Sequence, residues 1–432
     1  MRKAYRCVRP TSSLVFTQSF STKVFAWGSG HSGVLGQGSL IVQDGYEPVA
    51  IQGLPEDVSG VGAGYFHSLA WTSDGDLYTW GRLLESQLGR KTDRYEIDFS
   101  STPSKALGKE DIGSPIVFAT GSGVATFAVT EDGRLFVAGS SKRGQLGLGN
   151  GVQSSSNFRH VSLPGRLMSV ACGWGHAAAV VQPSDSSQSR VFTWGWPANN
   201  RLGFVPNELG MSQNEEYISS QCVWLPRPVH MLDDVSVTKV ICGMDSTYCL
   251  SMDGQLFSFG DNSYSQLGRV RTSTCNQSEV QSESTAAAWK VPFGHLGGET
   301  SIADVSAGVY HCIAITDDYS LITWGGNSSG QLGLGLGCTS ESTTPTCRFQ
   351  LNTGAKPLLG AGRVHSVLLT ASSPNGAILD ECYAWGGFTH GRLGTSATED
   401  ESEVTRVEFF DGLELLDLAV GLDHSMVLVK EN

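Results

Sequence analysis

Charge is scarce in this chain: Asp, Glu, Lys and Arg make up 16% of its 432 residues, against about 25% in ordinary soluble domains. No apolar run approaches the ~18–20 residues that would span a bilayer, so membrane insertion by a helix is not expected. Cysteines stand at 7, 172, 222, 242, 249, 275, 312, 338, 347 and 382, yet none forms a C-x-x-C pair and no Cys/His spacing matches a zinc site. Reduced structural thiols are expected, with Cys172 and Cys242 as small apolar residues at one repeat position. The G-x-S-x-G, H-E-x-x-H, P-loop and EF-hand signatures are missing as well. The sequence therefore nominates no catalytic residue, no cofactor site and no metal ligand. Disorder is excluded by a 40% hydrophobic content spread evenly along the chain.

What charge there is divides unevenly. Residues 1–22 hold Arg2, Lys3, Arg6 and Arg9 and no acid. Without those four, 25 bases face 42 acids, a net −17 for the remainder. A basic, hydroxyl-rich, acid-free leader reads as an organellar transit peptide, mitochondrial in first place, with chloroplast or nucleus as alternatives. Leu14-Val15-Phe16 is too short for the apolar region of a secretory signal. The acidic body is not expected to bind duplex nucleic acid directly, because phosphates repel it.

Glycine is abundant, at 53 residues, and it recurs at a fixed interval. Aromatic-Gly pairs stand at Trp27-Gly28, Trp80-Gly81, Trp194-Gly195, Phe259-Gly260, Trp324-Gly325 and Trp385-Gly386, with Ala138-Gly139 filling the remaining place. Nine residues beyond the first member of each pair comes the Gly of a Leu-Gly: Gly36, Gly89, Gly147, Gly203, Gly268, Gly333 and Gly394. A second signature, G-x-x-H, alternates with the first and supplies His67, His176, His311, His365 and His424; Ala125 and Ser246 hold the equivalent positions elsewhere. Repeats fall at about 23–75, 76–133, 134–186, 190–254, 255–318, 319–376 and 380–430.

Segments such as SLAWT-SDGD-LYTWG read as two alternating strands joined by a turn whose Gly takes φ > 0. A four-stranded unit of this kind cannot bury both faces alone, so copies must stack. Seven all-β units, each with a large aromatic to fill the wedge between sheets, predict a seven-bladed β-propeller. The chain opens with a W-G strand and ends with a G-x-x-H strand, so pairing the N-terminal strand with the C-terminal blade is expected to close the ring.

These motifs resemble the repeat of the regulator of chromosome condensation family: aromatic-Gly, Gln-Leu-Gly at a fixed offset, then Ala-Gly-x-x-His-Ser. The resemblance covers residues 23 to about 430 and implies three functions. One is guanine-nucleotide exchange on a small GTPase, which makes no covalent bond. Another is ultraviolet-B photoreception, which needs several Gly-Trp-Arg-His-Thr motifs. This chain offers only Gly173-Trp174-Gly175-His176, with Tyr65, Val309, Arg363 and Leu422 at the equivalents of Trp174. The third, found in organellar branches with basic leaders, is support of RNA maturation, in intron splicing or ribosome assembly. The reading taken here is this third one: a non-enzymatic, monomeric propeller within a complex, whose partners are RNA-processing proteins or a small GTPase.

The five histidines stand in separate repeats and are read as structural, each bonding a backbone group and tying one blade to the next. The aromatics Trp27, Trp80, Trp194, Phe259, Trp324 and Trp385 are read as core. Differences between copies point to function. From the Leu-Gly glycine to the His position, five copies take 29 to 36 residues and two take 43. The long copies include segments 204–224 and 269–290, whose candidate partner-binding residues are Phe204, Glu215, Glu216, Tyr217 and Trp224, and Arg269, Arg271, Trp289 and Lys290. Removing residues 1–22 is expected to abolish organelle import and leave the propeller folded; a leaderless fluorescent fusion still reaching mitochondria would contradict the transit reading.

Overall fold

Every sequence repeat straddles two sheets. The computed structural model describes residues 21–39, 43–92, 98–204, 222–269, 288–296, 300–335, 338, 341–370 and 380–431. Within them the chain forms seven four-stranded antiparallel sheets. Six span 58–107, 116–161, 165–228, 237–290, 302–350 and 358–406, and the seventh joins 414–430 to 22–50; these are blades 1 to 7. The first strand of each blade packs against that of the next, around to blade 7 on blade 1. The all-β, seven-bladed propeller expected from the repeats is what forms.

Closure uses the whole length of Thr22–Gly28, which pairs with His424–Lys430 from Thr22 opposite Lys430 to Gly28 opposite His424. Residues 1–20 of the expected leader lie outside the described residues. Ser21 and Thr22 already belong to the ring: the Thr22 hydroxyl reaches the carbonyls of Glu56 at 3.0 Å and Val58 at 2.9 Å. A leaderless chain must therefore keep both.

The expected alternation is absent from the second strands. All six residues of His67–Thr72, Ala125–Thr130, Ser246–Ser251, His311–Thr316 and His365–Thr370 are buried. Neighbouring blades cover both faces of these strands, as in any sheet sandwiched on both sides. Outward-facing polar residues appear on fourth strands such as Ser154–Val161.

Two backbone requirements explain why glycine survives in every copy. The glycine of each aromatic-Gly pair has φ between +100° at Gly325 and +130° at Gly139, and that of each Leu-Gly lies between +64° at Gly36 and +70° at Gly268. Side chains with a Cβ rarely enter these regions. That is why Gly139 persists beside Ala138, where the aromatic is lost. The missing ring is replaced in space by Phe158, which packs against Gly89.

The tryptophans are fully buried, and each indole reaches back across a seam. Their Nε1–H groups donate to the carbonyl two residues before the preceding blade's Leu-Gly glycine: Trp80 to Val34, Trp194 to Gln145, Trp324 to Gln266, Trp385 to Gln331 and Trp27 to Arg392, all at 2.8–2.9 Å.

The histidines also tie blade to blade, through a different partner from the backbone group expected. Each Nε2 meets a hydroxyl on the following blade: His67 with Thr126 at 2.7 Å, His176 with Thr247 at 2.9 Å, His311 with Ser366 at 2.9 Å, His365 with Ser425 at 3.2 Å and His424 with Ser68 at 3.0 Å. In four seams the hydroxyl donates onward to the same class of loop carbonyl, on Gln87, Arg201, Gln331 and Val34. The hydroxyl must then accept from Nε2–H, which places a proton on Nε2 of the imidazole. Ala125 and Ser246, which lack the ring, face Ala177 and Cys312, which lack the hydroxyl. The spacing of G-x-x-H follows as well: a Cβ on Gly64 would lie 2.1 Å from Cε1 of His67. Where the ring is absent, at Ala125, the glycine gives way to Ser122.

Burial lowers the pKa of His67, His311 and His365 from 6.5 to about 3 and of His424 to about 4, and drives His176 well below 6.5. For His67, His176, His311 and His365 the buried Nδ1 has no hydrogen-bond partner among the described residues, so protonation there would leave an unmet donor. Between these values and the unfolded pKa near 6.5 the unfolded chain binds more protons, so stability falls with pH by up to ~1.4 kcal/mol per unit per histidine. The melting temperature is expected to hold above about pH 6.5 and drop steeply towards pH 4. His311→Gln should flatten that drop. A wild-type melting temperature constant from pH 7 to 4 by circular dichroism would contradict it.

Candidate protein-binding face

The residues between the Gly and the His of each G-x-x-H turn emerge on one face of the ring, beside the loops that follow each aromatic-Gly pair. Tyr65 of blade 1 stacks on Trp174 of blade 3, with centroids 5.7 Å apart and planes at 28°. This contact passes over blade 2 because Gly123 lies beneath it: a Cβ there would be 2.8 Å from the Trp174 ring. Phe66 meets Trp174 edge-on at 6.3 Å and carries the guanidinium of Arg82 at 5.2 Å.

Further round, Trp196 lies between two cations, Arg143 at 3.6 Å and Arg201 at 4.6 Å from its centroid. Such contacts are worth ~0.5–2 kcal/mol each, more when desolvated. The Arg201 side chain is fully buried and pairs with Asp245 at 2.5 Å. Burial pulls the Arg201 pKa down and pushes that of Asp245 up, with each charge opposing the shift in the other. Tyr264 and Tyr310 continue the stripe at 4.3 Å. It ends at Asp423, bonded by Arg392 at 2.7 Å and by Arg363 at 2.5 Å. Burial disfavours the Asp423 carboxylate, but the two guanidiniums outweigh it and hold its pKa below the ordinary range.

The long segments leave from this face. Phe204 follows the Trp196–Arg201 loop, and Arg269 follows the loop of Asp261 and Tyr264. The two loops meet at Asp245, whose carboxylate pairs with Arg201 and whose carbonyl accepts from the Asp261 N–H at 2.9 Å. Phe204 itself is 7% exposed and packs into the core, so it is unavailable as an anchor. Trp224 is half-buried on strand Val223–Pro228, where its carbonyl accepts from Gly149. Trp289 is 46% exposed, 5.7 Å from the Arg269 guanidinium, and lies with exposed Lys290 on a short strand paired to Phe257 and Ser258. Glu215, Glu216, Tyr217 and Arg271 lie outside the described residues.

The aromatic-arginine stripe is what the sequence reading passed over. Its signal was the variable position after the Gly of G-x-x-H, occupied by Tyr65 and Trp174, together with the Trp196 that follows a W-G pair. Elsewhere the chemistry is quiet. The relay histidines are neutral and occupied, and burial pushes the Cys242 and Cys312 thiols up to about 12. The eight described cysteines are all free thiols.

Seven sheets closed into a ring, with Trp, Tyr and Arg clustered on one face, define an all-β propeller. Residues 23–427 match the RCC1-like domain, and the chain belongs to that family. It is 27% identical over 424 residues to the Regulator of chromosome condensation of Xenopus laevis, covering 95% of this chain and 90% of that protein. It is 30% identical to the ultraviolet-B receptor UVR8 of Arabidopsis thaliana, over 75% of this chain and 65% of the receptor. With the mitochondrial RCC1 domain-containing protein RUG3 of Arabidopsis it shares 28% identity, over 74% of this chain and 65% of that one. Among solved structures, Prp20p of Saccharomyces cerevisiae superposes with a TM-score of 0.76 at 20% identity, covering 96% of this chain and 93% of that one. Human WBSCR16 superposes at 0.74 and 22%, covering 95% and 99%.

Proposed function

We propose that this chain is a non-catalytic protein-interaction scaffold of mitochondria that supports organellar RNA maturation, in intron splicing or ribosome assembly. The observation that carries the binding part is the stripe Tyr65, Trp174, Trp196, Tyr264 and Tyr310 interleaved with Arg143 and Arg363, the buried Arg201 supporting Trp196. Trp, Tyr and Arg supply most of the affinity at protein interfaces. The basic leader and the identity to a protein named as mitochondrial support the location. The RNA-maturation role rests on the resemblance to the organellar branch, and the acidic body suits basic RNA-processing partners. The candidate loops 204–224 and 269–290 begin at Phe204 and Arg269, directly after the loops that carry Trp196 and Tyr264.

Nucleotide exchange on a small GTPase is the second reading. It is favoured by the match to the Regulator of chromosome condensation over nearly the full length of both chains.

Affinity purification from isolated mitochondria separates the two. Because Phe204 is core and Trp289 is strand-paired, the loops are best shortened within 205–221 and 270–287, alongside Trp196→Ala. Wild type is expected to recover RNA-processing proteins and both variants to lose them, the shortened chain while melting as wild type does and Trp196→Ala with the loss of its two arginine contacts. An unchanged partner set from the shortened chain would contradict the loop surface. Faster GDP release from a co-purified GTPase would replace the scaffold reading with exchange.

A further inference from the structure

At the seam between blades 6 and 7, side chains from opposite ends of the chain converge. His31 and Asp44 belong to the connection between the two outer strands of blade 7, and His390 to the equivalent connection of blade 6. One nitrogen or carboxylate oxygen from each of the three lies within 4.8 Å of the other two. None of the three takes part in the inter-blade relay or in the aromatic-arginine face.

The group is held in place from several sides. Asp44 Oδ1 accepts from the Gly30 N–H at 3.0 Å, while Oδ2 meets His390 Nδ1 at 2.8 Å. His390 has φ +64°, a left-handed backbone uncommon outside glycine that His, Asn and Asp enter more readily than other residues. The next residue, Gly391, lies so close to blade 7 that a Cβ on it would be 2.3 Å from the Gly45 carbonyl oxygen. The loop carrying His390 is thereby fixed against the strand that follows Asp44. The His31 ring stands 5.7 Å from that of His390, with planes at 73°. His31 is exposed, and Asp44 and His390 are half-buried, so the group opens to solvent.

We propose that His31, Asp44 and His390 form a zinc site that clamps the N-terminal segment of the ring to its C-terminal blades. Two imidazoles and one carboxylate are a borderline donor set that suits zinc, whereas calcium and magnesium prefer all-oxygen shells. Zinc bonds of ~2.0–2.2 Å set tetrahedral donors ~3.4 Å apart, so His390 Nδ1 and Asp44 Oδ2, now 2.8 Å apart, part slightly while the exposed His31 side chain rotates inward. The Gly30 bond acts from outside the shell: it orients the carboxylate and leaves Oδ2 for the ion. Binding displaces the proton that His390 and Asp44 share. Three protein ligands leave a fourth position for water. The spacing concealed the site, because 13 residues separate His31 from Asp44 and 346 separate Asp44 from His390, far from any zinc motif.

The test is zinc sulfate titrated into the purified, chelator-treated full chain, read by calorimetry and by thermal melting. Wild type is expected to bind one zinc and to melt at rising temperature as zinc increases, since the ion binds the folded ring alone. His31→Ala should lose at least the ~10–100-fold in affinity that even an outer-shell change costs. Its zinc-free melt should match wild type, because its ring makes no hydrogen bond in the described structure. His390→Ala should lose the zinc response as well. No saturable zinc binding by wild type, or wild-type affinity in His31→Ala, would overturn the site.

Discussion

Seven loop carbonyls hold this ring together. They belong to Val34, Gln87, Gln145, Arg201, Gln266, Gln331 and Arg392, each two residues before a Leu-Gly glycine, and each is bonded by a side chain of the next blade. A buried carbonyl left unmet costs ~1–3 kcal/mol, so every seam needs at least one donor. Two kinds recur, an indole N–H and a Ser or Thr hydroxyl, and at Gln266 the Tyr248 hydroxyl and the Cys312 thiol join Trp324. Blades 2 and 4, with Ala138 and Phe259 in place of Trp, supply Thr126 and Thr247. Blades 3 and 5, with Ala177 and Cys312 in place of the hydroxyl, supply Trp194 and Trp324. No blade has lost both. The histidines follow from the same constraint, since a hydroxyl that donates to the carbonyl has a lone pair to offer, and the imidazole Nε2–H of the preceding blade takes it.

Much of this was legible in the sequence, because the ring repeats its physics seven times. Periodicity located the core aromatics, the glycines with positive φ and the closing strand. It also placed the histidines as ties from one blade to the next. What it missed depends on contacts between repeats. The partner of each histidine is the residue after the histidine position of the next repeat, a relation visible only once blades are known to touch in order. Second strands looked half-buried because no single repeat shows that both of its faces are covered. The Tyr65–Trp174 stack skips a blade altogether, and the His31–Asp44–His390 group joins positions close in space only after closure.

The same division separates stability from recognition. Positions that point along the seams are fixed by the relay and tolerate only matched exchanges, such as Ala125 with Ala177. Positions between the Gly and His of each turn carry no such duty, and these vary most: Tyr65, Gly123, Trp174, Met244, Val309, Arg363 and Leu422. A scaffold whose framework is over-determined can spend that freedom on one face. In this chain the freedom has gone to aromatic rings and guanidiniums.

The central claim is that imidazole and hydroxyl act as one unit across each seam, and a double-mutant cycle on His311 and Ser366 tests it most directly. Ser366→Ala leaves the Gln331 carbonyl satisfied by Trp385, so the change reports on the histidine contact. The double variant, with Ala at both positions, reproduces the Ala125 and Ala177 pair that the chain already carries. The account predicts that it is less destabilised than the sum of the single variants by ~0.5–3 kcal/mol in denaturant unfolding. Effects that add within about 0.5 kcal/mol would contradict it.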